Sequence, residues 1–131
     1  MISYKFTGIL IIILSILLAI IIDQCSKIFI SKLMFANSFS HISVFAFFDL
    51  VFVRNTGVSF GMFSESGSFG RYFFSIFSIS VGFILALLAI VNEKKLIKIA
   101  LSLVASGAIG NALDRIYFGG VIDFIDIFVY N

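Results

Sequence analysis

Asn111, Asp114 and Arg115, followed across Gly119-Gly120 by Asp123 and Asp126, are the side chains best suited to do chemistry, and all lie in the stretch Ser106–Phe128. Their neighbours are small or apolar: SGAIG before the first group, IYFGGVI between the groups, FIDIF after. Ionisable groups are costly to keep in such surroundings, so their presence argues for function. Carboxylates offer proton acceptors and donors. An arginine close by would oppose the rise in carboxylate pKa that burial brings. Asn111 precedes Asp114 by three residues and Arg115 by four, so a helix would gather all three near one face. The same spacing would also suit a polar cap closing the end of a helix, and both readings stand at this point.

The elements that must position these groups follow from composition. Of 131 residues, 61% are hydrophobic, 12% are charged and 18 are Phe, with a mean hydropathy of +1.19. A soluble domain of this size could not hide so much apolar surface, which makes the chain an integral membrane protein. A net charge of +2 with no basic block excludes a nucleic-acid surface. The single cysteine, Cys25, excludes an internal disulfide; it has no metal-ligand spacing and is read as a small buried hydrophobe.

The expected architecture is a membrane all-α bundle forming one domain over residues 1–131, with spans near 6–30, 72–91 and 96–115. The first apolar run, Phe6 to Ile22, lacks a small-residue cleavage site, which favours an uncleaved helix over a signal peptide. Asp23 and Lys27 lie four apart, where they can pair; alternatively Lys27 snorkels at the interface. Between the first two spans, residues 36–62 form an extracytoplasmic β-type cradle, because Ile42 to Val53 is rich in Phe and Val and ends at a turn-forming Asn55 and Gly57. His41 has no carboxylate, Cys or His at ligand spacing, so no metal is expected there. Ser102, Ser106 and Gly110 recur every four residues, with Gly107 beside them, a pattern that lets helices approach closely in lipid. The dense basic connection with Lys94 and Lys95, and Lys98 snorkelling towards it, is expected in the cytoplasm with Lys5.

Four blocks of this sequence resemble the lipoprotein signal peptidase family, the type II signal peptidases. They are Asp23-Gln24-Cys25-Ser26-Lys27, Arg54-Asn55-Thr56-Gly57-Val58-Ser59-Phe60, Gly110-Asn111-Ala112-Leu113-Asp114-Arg115 and Val121-Ile122-Asp123-Phe124, in the family's order. Ser59 stands where many members have Ala. The resemblance implies four spanning helices, an active site on the outer face of the bacterial cytoplasmic (inner) membrane, and a monomer. It implies cleavage of diacylglyceryl-modified prolipoproteins before the lipidated cysteine, by two aspartates without metal or other cofactor, with prolipoproteins and membrane lipids as partners and no nucleic acid. Carried over, it makes Asp123 one catalytic aspartate, with Asp23, Asn55, Asn111, Asp114 and Arg115 supporting the site or binding substrate.

In the family the second catalytic aspartate lies in a later Phe-Asn-x-Ala-Asp block at the start of the fourth helix. Neither occurs in these 131 residues, so the expectation is a shortened form. Asp126 is not assigned the second role, since three-residue spacing on one short element poorly replaces two groups converging from different elements. The competing readings are an inactive homologue and a small membrane interaction or transport component.

Overall fold

Long uncharged runs rich in Ile, Leu and Phe satisfy their backbone internally only as helices when no water is at hand. The computed structural model describes residues 2–38, 41–56 and 67–128, and in it the runs form α1 (Ile2–Asn37), α2 (Gly67–Val91) and α3 (Lys95–Phe118). All three are long and apolar enough to cross a membrane. Large apolar side chains such as Leu14, Leu18, Phe83 and Val104 face outward uncovered, as they would towards lipid tails. Cys25 is among the outward residues, contrary to the expected burial. It follows Gln24, which faces α3, and one residue of helix turns it away from that contact by about 100°.

α3 is the central helix, packing against both α1 and α2 while those two scarcely meet. Small residues make this possible, because Ser102, Ala105, Ser106 and Gly110 are buried along it. At Gly110 the fit is closest: a Cβ there would sit 2.7 Å from the Asp23 carboxylate of α1. Gly107 takes no part, being exposed with open space where its side chain would be. Lys98 turns its ammonium to the end of α2 that adjoins the Lys94-Lys95 connection. Its Nζ donates to the carbonyls of Ala89 (3.3 Å) and Ile90 (3.1 Å), capping the C-terminal end of α2.

At the other end of the bundle lies an antiparallel sheet of β1 (His41–Phe45), β2 (Phe48–Asn55) and β3 (Val121–Ile127), in that order. The expected extended run is thus a hairpin, turning at Ala46-Phe47. Its third strand comes from beyond α3, where the sequence showed only an apolar run. β2 carries a bulge: Leu50 pairs with Ile125 and Val53 with Asp123, so Val51 and Phe52 together oppose Phe124. α1 continues past its expected boundary to Asn37 and docks Phe35 edge-on against Phe52, with ring centroids 4.8 Å apart. Gly57 to Phe60 of the second motif block, and the expected end of the cradle at residue 62, lie outside the described residues.

The packing predicts opposite outcomes for two glycines of α3. Gly110→Ala should cost about 1–3 kcal/mol by overpacking against a carboxylate that is already tied down. Gly107→Ala should cost nothing and gain up to about 1 kcal/mol. Thermal unfolding of both variants in the same detergent measures the difference.

Candidate active site

α1 delivers Asp23, Gln24 and Lys27 to a single face, and α3 delivers Asp114 opposite them. The Lys27 ammonium lies 2.9 Å from Asp23 Oδ2 and 2.6 Å from Asp114 Oδ2. Asp114 is fully enclosed and Lys27 is 5% exposed, so Lys27 is a buried ion-pair partner and does not snorkel. Gln24 Nε2 donates to Asp114 Oδ1 at 2.8 Å and to Asp23 Oδ2 at 3.0 Å. The remaining contact to Asp114 comes from the strand: the backbone N–H of Ile122 donates to Oδ2 at 3.2 Å. One carboxylate therefore joins α1, α3 and β3. A buried carboxylate is tolerable only when charge and lone pairs are both answered, and here three donors answer them.

Arg115, the next residue, turns to another side of α3 and is also buried. Its guanidinium lies over the Phe74 ring at 5.7 Å and directs Nη1 to Ser78 Oγ at 3.5 Å and to the carbonyl of Asn111 at 3.4 Å. It stands in electrostatic reach of both Asp114 and Asp123. Asn111, half-buried one turn earlier, contributes that carbonyl. The end of α3 is closed by Gly119, left-handed at φ 80°, whose N–H donates to the Arg115 carbonyl. The reading of Asn111, Asp114 and Arg115 as a polar cap accordingly gives way: the last turn of α3 is closed by the Gly119 N–H and by Arg71 and Arg54, which donate to the carbonyls of Ile116 and Phe118, while the charged side chains of Asp114 and Arg115 are buried.

The turn at Gly119-Gly120 leads at once into β3. Val121 and Ile122 are buried, whereas Asp123 is exposed. Asp123 pairs with Val53 and Val121 with Asn55, and alternation places Asn55 and Asp123 diagonally on one face of the sheet. Asp126, three residues on, projects from the opposite face beside Asp49, its direct cross-strand neighbour. Of the residues named from sequence, Asp23 and Asp114 therefore meet through Lys27. Arg115 links electrostatically to Asp123, and Asn55 shares its face. His41 opens β1 and is exposed. Among the described residues no three His, Cys, Asp or Glu side chains gather as metal ligands would.

Gln24 has no role in the sequence reading beyond its place in a motif block, and Lys27 has only that of partner to Asp23 or interfacial anchor. The four-residue spacing pointed to the Asp23–Lys27 pair, but nothing in the sequence could pair either residue with Asp114, which lies 87 positions beyond Lys27.

Three helices able to span a membrane, with a sheet at one end and a buried carboxylate of α3 tying α1 to that sheet, define an integral membrane protein with a carboxylate-centred site. Residues 15–131 match the family model of signal peptidase (SPase) II, and the chain belongs to that family. The lipoprotein signal peptidase of Janthinobacterium sp. (strain Marseille) is 40% identical over 111 residues, 84% of this chain and 66% of that protein. The lipoprotein signal peptidase of Cupriavidus necator is 37% identical over 116 residues, 88% of this chain and 65% of that one. The chain thus spans about two thirds of the length of these curated relatives. Among solved structures, a bacterial membrane enzyme determined by the in meso method superposes with a TM-score of 0.70 at 29% identity, covering 90% of this chain and 70% of that one.

Burial ranks the two ion pairs. Lys27→Met leaves Asp114 enclosed without its cation and should destabilise the protein by about 3–5 kcal/mol. Asp23→Asn removes a carboxylate that is one-third exposed (33%) and should cost about 1 kcal/mol or less. Chemical denaturation of the two variants in micelles checks the order.

Proposed function

We propose that the protein is a membrane aspartic endopeptidase that removes the signal peptide from diacylglyceryl-modified prolipoproteins, cleaving before the lipidated cysteine, with Asp123 as one of two catalytic aspartates. The observation that carries the reading is the contrast among the carboxylates. Asp114 and Asp23 are engaged by Lys27, and Asp126 projects from the far face of the sheet. Asp123 stands exposed on the face it shares with Asn55, in reach of Arg115.

Hydrolysis of a peptide requires a base to take a proton from water as its oxygen attacks the carbonyl carbon. It also requires an acid to protonate the departing amine nitrogen as the C–N bond breaks. Two nearby carboxylates supply both, because like charges at close range keep one of them protonated. Asp123 furnishes one member. The family resemblance assigns the other to the Phe-Asn-x-Ala-Asp block, which in that family follows the equivalent of β3. Asn55 offers an amide that can hold substrate backbone, and Arg115 offsets negative charge gathered at the pair.

The sheet end is read as extracytoplasmic, in the bacterial cytoplasmic membrane, since Lys94 and Lys95 crowd the short connection at the opposite end. Asp114 has no exposed surface with which to line a pathway, which weighs against a transport role.

In a form that carries the family's second-aspartate block, Asp123→Asn should abolish cleavage of a diacylglyceryl prolipoprotein, with insertion and folding retained. Asp126→Asn should keep most of the activity. Cleavage by Asp123→Asn at the unsubstituted rate, read as the shift from precursor to mature lipoprotein on a gel, would refute the assignment.

A further inference from the structure

We propose that Lys27 is a positioning residue for Asp123, acting through Asp114. The proposal rests on the reading of Asp123 as the reactive carboxylate and adds what holds it in place. Its basis is a chain of contacts across three elements. Lys27 Nζ of α1 donates to Asp114 Oδ2 of α3 at 2.6 Å, and the same oxygen accepts the Ile122 N–H of β3 at 3.2 Å. Ile122 immediately precedes Asp123 in the chain.

Asp114 is fully enclosed, so it cannot touch substrate, and its consequence for the site must pass through what it binds. Its Oδ1 is taken by Gln24 and its Oδ2 by Lys27 and Ile122. The backbone of β3 is thereby fixed at its entry by a charged acceptor, which binds a backbone N–H more firmly than a neutral one does. On the other edge β3 is fixed by its ladder to β2, with Asn55 opposite Val121 and Val53 opposite Asp123. The cation is what makes this arrangement possible. Without Lys27 the enclosed carboxylate would lose the cation in contact with it and could not keep its present geometry without cost, so its bond to the Ile122 N–H would loosen.

A purely structural role for the pair, clamping α1 to α3, would spread its loss over the bundle. A positioning role concentrates the loss in β3. Hydrogen exchange of the purified, micelle-embedded protein separates the two, because it reads opening segment by segment. In Lys27→Met the amides of Ile122 to Phe124 should exchange about tenfold faster, the factor that loss of a hydrogen bond to a charged acceptor carries. Amides in the middle of α2 should be unchanged. Lys27→Arg, which keeps the charge, should hold β3 within about twofold of the unsubstituted protein. Lys27→Gln keeps a donor and protects the fold if the methionine variant collapses; it should lie between the two.

Three outcomes overturn the proposal: β3 exchanging at the unsubstituted rate in both the Met and Gln variants, α2 accelerating as much as β3 in the Gln variant, or Arg failing to restore protection. The readout does not involve cleavage. If Asp123 proves dispensable for cleavage while β3 protection follows the charge at position 27, the peptidase reading fails and the coupling stands. If Asp123 proves essential while β3 ignores position 27, the reverse holds.

Discussion

The structure turns on one enclosed carboxylate. Asp114 has no contact with solvent, and a charge in that position must be answered completely or the fold is lost. The answer comes from α1, whose Lys27 and Gln24 reach it across the interface, and from the first residues of β3. To bring those donors within hydrogen-bond distance α1 and α3 must lie close together. That requirement explains why Gly110 stands where any side chain would collide with Asp23. The small residues along the remainder of α3 serve the same end, since in lipid no hydrophobic force draws helices together and closeness itself supplies the attraction. Polar bonding and small-residue packing are thus two aspects of a single contact.

From this point outward the polar groups divide into those engaged and those available. Asp114, Lys27 and most of the bonding capacity of Gln24 are spent within the bundle. Arg115 is packed over Phe74 yet remains in electrostatic reach of Asp123. The left-handed turn at Gly119 reverses the chain within two residues, so a carboxylate in the core and a carboxylate at the surface lie on adjoining elements. The strand then sets Asp123 against the edge of β2 that carries Asn55. A rigid, enclosed carboxylate thus holds the entry of the strand that carries the exposed Asp123.

Much of this was legible in the residues. Uninterrupted apolar runs announced three helices, and the Ser102–Ser106–Gly110 period announced the central one, since both signals are local and repeat along the chain. The aromatic, β-branched run from Ile42 to Val53 announced extended chain for the same reason. β3 was not legible as a strand. Its carboxylates at Asp123 and Asp126 break the alternation a half-buried strand shows, and their spacing of three suits a helix as well. Only pairing with β2 reveals that the spacing turns them to opposite faces. Nor could the sequence separate a buried Lys27 from a snorkelling one, or place Cys25 on the outer face. Each depends on which side of α1 meets α3, and an almost uniformly apolar helix carries no periodic stripe to say so. Family resemblance set Asp123 apart from a supporting Asp114, but that Asp114 is enclosed and tied to Lys27, Gln24 and Ile122 is a property of the fold.

The central claim is that Lys27 and Asp114 act as one unit, and a double-mutant cycle on unfolding free energy tests it most directly. Lys27→Met, Asp114→Asn and the double variant would be unfolded in the same micelles. Mutual dependence predicts a double variant more stable than the sum of the single losses implies, with a coupling of about 1–3 kcal/mol. Additivity to within about 0.5 kcal/mol would contradict it, and would reduce the contact that organises the site to two independent side chains.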